Sequence, residues 1–215
     1  RQIVLSATYR MSTRPGDEAE RATDSENKYF WRMNSRRMEA EVVRDSILSL
    51  SGQLDLTLGG PEIPETDGET VPRRSLYFRN TPNEKMGMLE VFDVADPNSC
   101  YQRKESVVPH QSLAMMNSGL ALDNARLIAE QLSASNGDFV TAAFETVLSR
   151  RPTDEEVVRC ETFLKQHAKL LNEDTAEKFV AGGTARRAPA ADPDLRAREN
   201  LVHVLLLHND FVTVR

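Results

Sequence analysis

"PHQSLAMMNSGLALDNARLIAEQLS", residues 109–133, decides the fold class. Pro109 has no N–H to lose and its fixed φ suits a first helical turn, so residues 110–116 read as a short helix. Ser118 is a capping residue. Behind it Leu120, Ala121, Ala125, Ile128 and Leu132 recur along one helical face through residues 119–132. The period persists downstream, where Phe139, Ala143, Phe144, Val147 and Leu148 stripe residues 139–148. Thr153 and Glu156 have the spacing of a capping box, ahead of Val157, Cys160, Phe163, Leu164 and Leu171. A small thiol on that stripe reads as buried. "GGTARRAPAADP", residues 182–193, loses the period and reads as a surface linker. Asp192 and Pro193 then open a last helix whose buried face carries Leu201, Val204 and Leu205 and ends near His208.

Working outward, "NSRRMEAEVVRDSILSLSG", residues 34–52, is the other clear helix. Met38, Val42, Ile47 and Leu50 form its stripe, widened by Val43. Asn34 or Ser35 caps it and Gly52 ends it. Glu41 and Arg44, three apart, pair on its outer side. Residues 58–72 hold three prolines, three glycines and four acids, the composition of a loop. Residues 75–79 alternate like a short strand, with "VLSAT" or "VFDV" as its partner. The first block opens apolar and becomes a short helix or turn, then an exposed loop broken at Pro15–Gly16. The expected fold is mainly α, an irregular helical domain over residues 1–215 with a small β element.

Composition narrows the function. The 215 residues are 40% hydrophobic and 28% charged, with a formal net charge of −6. A nucleic-acid role is disfavoured, because phosphate recognition needs a basic footprint. The basic clusters Arg32-Arg36-Arg37, Arg73-Arg74 and Arg186-Arg187 have acids nearby and read as solvated faces or internal ion pairs. No apolar run reaches the ~18–20 residues of a membrane span. "RQIVLSATYR" has no signal-peptide pattern and no initiator Met, so the chain reads as a piece of a longer polypeptide. Cys100 and Cys160 are the two cysteines, and two unpaired thiols are more economical than a bridge.

Chemistry-bearing residues concentrate in "FDVADPNSCYQRKESVVPHQSLAMMN", residues 92–117. Asp93, Asp96, Cys100 and His110 are metal-ligand types, but their spacing matches no metal loop. A Cys100–His110 dyad has no supporting local motif. Asp96-Pro97-Asn98-Ser99 is instead a strong turn sequence. Arg103 and Lys104 can neutralise Asp93 or Asp96, and Asn117 can satisfy orphan backbone groups where two helices meet. His167 reads as exposed, and His203 and His208 face different ways on the last helix. Tyr29, Phe30 and Trp31, ahead of Arg32 and Asn34, read as a hydrophobic anchor for the helix entry, with ligand stacking as the alternative.

Several blocks in order, "SATYRMSTR", "WRMNSRRMEAEVVRDSILSLSGQLDLTLGGP", "RRSLYFR", "EVFDVADPNSCYQRKESVVPHQSLAMMNS", "LSRRPTDEE" and "HNDFVTVR", carry a family resemblance. The chain resembles the PSD-one domain, a domain of unknown function at the C-terminus of large planctomycete proteins with cytochrome-c-like domains upstream. The resemblance implies an exported multidomain protein, periplasmic or at the cell surface, with haem c on a separate upstream domain and no cofactor in this one. It supplies no catalytic residues. Matching positions include Trp31, Arg32, Asn34, Arg37, Arg44, Asp45, Arg73, Arg74, Ser75, Asp93, Asp96, Cys100, Arg103, Gln111 and Asn117. Relatives carry an apolar residue where this chain has His110, which weakens a catalytic role for it.

The expected function is a non-catalytic structural or interaction module that docks on upstream domains of the same polypeptide. Its polar residues would then form an internal network, neither binding nucleic acid nor entering a membrane. Two rivals stand beside it. One is a hydrolase-like enzyme using Asp93, Asp96 and His110, and the other is a glycan- or small-ligand module built on Tyr29, Trp31 and Arg32.

Overall fold

The computed structural model describes residues 1–13, 18–99, 103, 106, 109–135, 137–172 and 185–214. The chain divides into two compact units, residues 1–38 with 212–215, and residues 39–211. Among the described residues the secondary structure is mainly helical, with one small two-stranded sheet.

The larger unit is built on α2 (Ala40–Leu50), α3 (Gly87–Val91), α4 (Pro109–Asn117), α5 (Gly119–Ser133), α6 (Phe139–Leu148), α7 (Asp154–Asn172) and α8 (Pro193–Leu206). Helices α5 and α8 form its most extensive packing, with α7 also against α8. Ile47, Met115, Ile128, Val140, Val202 and Leu206 are fully enclosed there. Each such side chain contributes about 1.5–3 kcal/mol by leaving water.

The local capping logic holds in detail. Ser118 Oγ accepts from Ala121 N, Asp138 from Thr141 N, and Asp192 from Leu195 N. The Thr153–Glu156 box is reciprocal: Thr153 N donates to Glu156 Oε2 at 2.8 Å and Glu156 N to Thr153 Oγ1 at 3.3 Å. Gly52, at φ 72°, closes α2 with Gly52 N donating to Ser49 O and Gln53 N to Leu48 O. Ser51, behind that turn, is tied to α5, its hydroxyl donating to Asn124 Oδ1 and its carbonyl accepting from Gln131 Nε2 at 2.9 Å.

Several expectations need correction in this unit. On α8, Val204 is exposed rather than buried, and Leu201, Val202, Leu205 and Leu206 make the apolar face. Helix α2 starts later than its capping candidates Asn34 and Ser35, with Glu39 at the cap position, and its buried face is Ala40, Val43, Arg44, Ile47 and Leu48. Val42 is exposed, so the stripe is rotated from the one its apolar residues suggest. Residues 75–77 form a 3₁₀ turn rather than a strand, and the strand-like pairing within residues 55–79 is limited to two isolated parallel bridges, Asp55↔Arg73 and Ile63↔Phe78. The alternation there is too short to set a ladder. On α7, Cys160 is half-buried, and His167 is not exposed but stacks on Phe163 at 5.2 Å and meets Asn200 Nδ2 at 2.6 Å. Packing against α8 supplies that cover.

Residues 185–191 lack regular structure, yet the neighbouring helices hold them. Asp123 accepts from Arg186 N and Arg187 N at 2.9 Å each, and Glu199 accepts from Ala190 N at 3.1 Å. This part of the expected linker is therefore tethered, and residues 182–184 lie outside the described residues.

A dense ionic junction follows α6. Arg150 Nε donates to Asp210 Oδ2 at 2.7 Å, and its two terminal nitrogens donate to Glu156 at 2.8 and 2.7 Å. Its guanidinium also lies 5.2 Å from the Phe144 ring centroid. Those hydrogen bonds hold the Glu156 carboxyl down to about 2, against burial, which pushes it up.

In the smaller unit, residues 1–10 make turns of i→i+3 and i→i+4 type, and α1 (Glu18–Thr23) is a short helix that composition alone did not reveal. Strand β1 (Arg36–Arg37) pairs antiparallel with β2 (Thr213–Val214), Arg36 opposite Val214 and Arg37 opposite Thr213. This sheet uses neither partner expected from the sequence.

Candidate functional site

The polar groups of the larger unit are organised by two consecutive residues of α2. Arg44 falls one turn after Ala40 and one before Leu48, on the buried line of the helix, and it is wholly enclosed. Its Nε donates to Gly68 O at 3.0 Å, its Nη2 to Val71 O at 2.7 Å, and its Nη1 to Arg73 O at 2.8 Å and Ser75 Oγ at 3.3 Å. The guanidinium lies 4.6 Å from the Phe78 ring centroid, and Asp45 is 3.6 Å away. Burial pushes its pKa down to about 10, so it stays charged at neutral pH. The expected outer-face Glu41–Arg44 pair does not form. Loop carbonyls with no ladder of their own take the guanidinium instead.

Asp45 continues the clamp. Its Oδ1 accepts from Ser75 N at 2.8 Å and Ser75 Oγ at 2.7 Å, while Arg74 Nε stands 3.8 Å from Oδ2. Arg73 turns outward along the loop, donating from Nη2 to Thr57 O and Gly59 O at 2.8 Å each. It stacks over Tyr77 at 4.3 Å, with Asp55 at 3.6 Å from Nε. Gly59 and Gly60, at φ 76° and 99°, make the turn under it.

The mid-chain stretch is a second, separate set of ties. Asp93, at φ 60°, accepts at Oδ2 from Ser106 N at 2.8 Å and Ser106 Oγ at 2.7 Å. Gln111, buried on α4, donates to Ser106 O at 3.1 Å and Val91 O at 3.2 Å. Asp96 accepts from Asn98 N at 2.8 Å, the side-chain turn its neighbours announce. Arg103 does not serve Asp93 or Asp96. It donates to both oxygens of Glu41, at 2.6 and 3.2 Å, with Glu39 at 3.9 Å. Asn117 donates to Leu113 O at 2.9 Å within its own helix, and Ser118 does the capping expected of it. His110 is exposed. Cys100 and Lys104 lie outside the described residues, so the Cys100 parts of the metal and dyad readings do too.

An open groove of about 490 Å³ runs beside α2, floored by Val42, Leu54 and Leu76 and edged by Asp45, Arg74 and Arg103. It brings together Arg74 and Arg103 from the sequence candidates, but not Asp93, Asp96 or His110. The charges on its edge are already paired, Arg103 with Glu41 and Arg74 with Asp45.

In the smaller unit the candidates Trp31, Arg32 and Asn34 belong to a loop built on Asp24 and Asn27. Asp24 accepts from Lys28 N at 2.9 Å and Tyr29 N at 2.8 Å, which holds its carboxyl below the usual range. Trp31 Nε1 donates to Asp24 O at 2.8 Å. Asn27 Nδ2 donates to Arg32 O at 2.8 Å and Asn34 Oδ1 at 3.0 Å, and Arg32 N donates back to Asn27 Oδ1 at 3.3 Å. Arg32 lies 5.3 Å from the Trp31 ring centroid, and Arg37 sits on β1. Tyr29 and Phe30 are not the expected buried anchor: they are 85% and 63% exposed.

The sequence reading had Asp45, Ser75 and Gln111 only as matching positions of the family resemblance, gave Arg44 no buried role, and missed Asp24 and Asn27. A signal existed for Arg44, because an arginine on the Ala40–Leu48 line must find acceptors indoors. Among the described residues no group of three or more His, Cys, Asp or Glu is placed to hold a metal ion, and no helix is long and apolar enough to cross a membrane.

The family model described as PSD1, protein of unknown function (DUF1553), matches residues 1–164. No curated protein and no solved structure matches the chain.

Proposed function

Because the chain belongs to the PSD1 family, whose function is unknown, we propose that it is a non-catalytic structural and interaction module within a larger polypeptide. One observation carries this reading. The charged residues a reaction would need are committed to backbone groups and to each other: Arg44 to three carbonyls, Asp45 to Ser75, Asp93 to Ser106, and Arg103 to Glu41. Such side chains specify a loop conformation and leave little to move a proton or attack a bond.

Replacing Asp93 separates this role from a catalytic one. Asp93→Ala removes the acceptor for Ser106 N and Oγ and places a β-carbon residue without a polar arm at φ 60°. Unfolding free energy should fall by about 1–2 kcal/mol, from the lost hydrogen bonds and the less tolerated backbone. Asp93→Asn, which keeps an acceptor and tolerates that φ, should recover most of it. Carboxylates held for chemistry behave the other way, since removing them is often neutral or stabilising. A urea titration that leaves Asp93→Ala as stable as the parent sinks the structural role.

We further propose, with the sequence resemblance as support, that the parent polypeptide is an exported planctomycete protein, periplasmic or at the cell surface, with haem c on a separate upstream domain. This module docks against those domains. Haem staining of the full-length product in the extracytoplasmic fraction tests the placement, and a cytoplasmic, haem-free product overturns it.

A further inference from the structure

The smaller unit has an unusual inventory for something folded. Among its described residues before Glu39, the buried ones are Asp24 and Asn27, both polar. Ile3, Val4, Leu5, Tyr9, Tyr29 and Phe30 are all exposed. Val212 apart, the unit encloses polar side chains and shows apolar ones, which leaves apolar surface for another body.

The loop at residues 24–34 displays two of those side chains with little freedom. Both Asp24 oxygens, both ends of the Asn27 amide and the Trp31 ring nitrogen are engaged inside it. Phe30 sits at φ 54°, a costly conformation for a bulky residue that persists only where surroundings over-determine it. The ordering cost of presenting Tyr29 and Phe30 is thus met before any partner arrives. Charge narrows the partner: residues 1–38 hold eight Lys and Arg against five Asp and Glu, in a chain of formal charge −6. Lys28 and Arg32 flank the two aromatics, Lys28 in an exposed pair with Glu26 at 2.8 Å and Arg32 over the Trp31 ring. A sugar is the poorer fit, because the carboxylate and amide that would meet its hydroxyls are spent within the loop.

We infer that residues 24–34 are a preformed docking loop that inserts Tyr29 and Phe30 into an acidic protein surface carrying an apolar recess. The inference rests on the interaction-module reading and gives it a surface and a partner chemistry.

The test uses the whole chain and a defined probe, a random copolymer of glutamate and tyrosine, with polyglutamate and phosphatidylglycerol vesicles in parallel. The chain should bind the copolymer more tightly than polyglutamate, and added salt should weaken both. The double variant Tyr29→Ser with Phe30→Asn should weaken copolymer binding about tenfold or more, as loss of paired aromatic anchors does. Its melting should hold or rise, since both side chains are exposed and asparagine tolerates the φ of residue 30. Copolymer binding unchanged by the double variant, polyglutamate binding equally well, or binding to vesicles alone each overturns the docking loop. None of these bears on the Asp93 measurement, so the two readings fail separately.

Discussion

Arg44→Leu should lower the unfolding free energy by about 3–5 kcal/mol, the range for removing one partner from a buried charged network. The carbonyls of Gly68, Val71 and Arg73 lose their donor together. An enclosed acceptor without a partner costs about 1–3 kcal/mol, and leucine offers none of them anything. Arg44→Lys is the discriminating control. An ammonium keeps the charge but has neither the planar fork to span those oxygens nor a flat face for Phe78, so it should rescue only a minor part. Urea titrations followed by circular dichroism read both variants. A loss under about 1 kcal/mol for Arg44→Leu, well below the single-carbonyl cost, would contradict the clamp.

Arg150→Met should cost about 2–4 kcal/mol, because Asp210, almost wholly buried, loses the arginine that donates to it at 2.7 Å. This junction also sets an acid dependence. Glu156 has its folded pKa lowered from 4.5 to about 2, so its contribution is complete above pH 4.5 and disappears as pH falls through 2. Its side chain is 30% exposed, and solvent screening reduces the contribution to about 1–2 kcal/mol. Stability of the parent should therefore be level from neutral pH to about 5 and then decline more steeply than that of Glu156→Gln. Parallel slopes for the two proteins from pH 4.5 to 2 would remove Glu156 from the acid response.

Helices α4 to α8 were legible because everything that specifies them lies within one turn. Ser118, Asp138, Thr153, Glu156 and Asp192 act on amides three residues away. The ties that shape the candidate site are of another kind. Arg44 reaches Gly68 across 24 residues, Asp45 reaches Ser75 across 30, and Arg103 reaches Glu41 across 62. No periodicity records such pairings, and proximity in sequence misleads: Arg103 was expected on Asp93 or Asp96 and Arg44 on Glu41. The short strands failed for a related reason. Two residues, Arg36 and Arg37, carry no alternation, and their partners Thr213 and Val214 come from the far end of the chain. Family membership was legible from the ordered blocks, and the match over residues 1–164 bears it out.

Residues 55–79 contain two short 3₁₀ or turn segments and isolated bridges, and their polar attachments to α2 pass through two adjacent side chains, Arg44 and Asp45. A flap fastened to one turn of α2, with one further tie from Ser118 Oγ to Glu69 Oε1 at 3.2 Å, opens as a whole more readily than residue by residue. Its amides at Asp55, Ile63 and Arg79 should exchange with solvent through one shared opening, which makes this stretch a single cooperative unit riding on a helix.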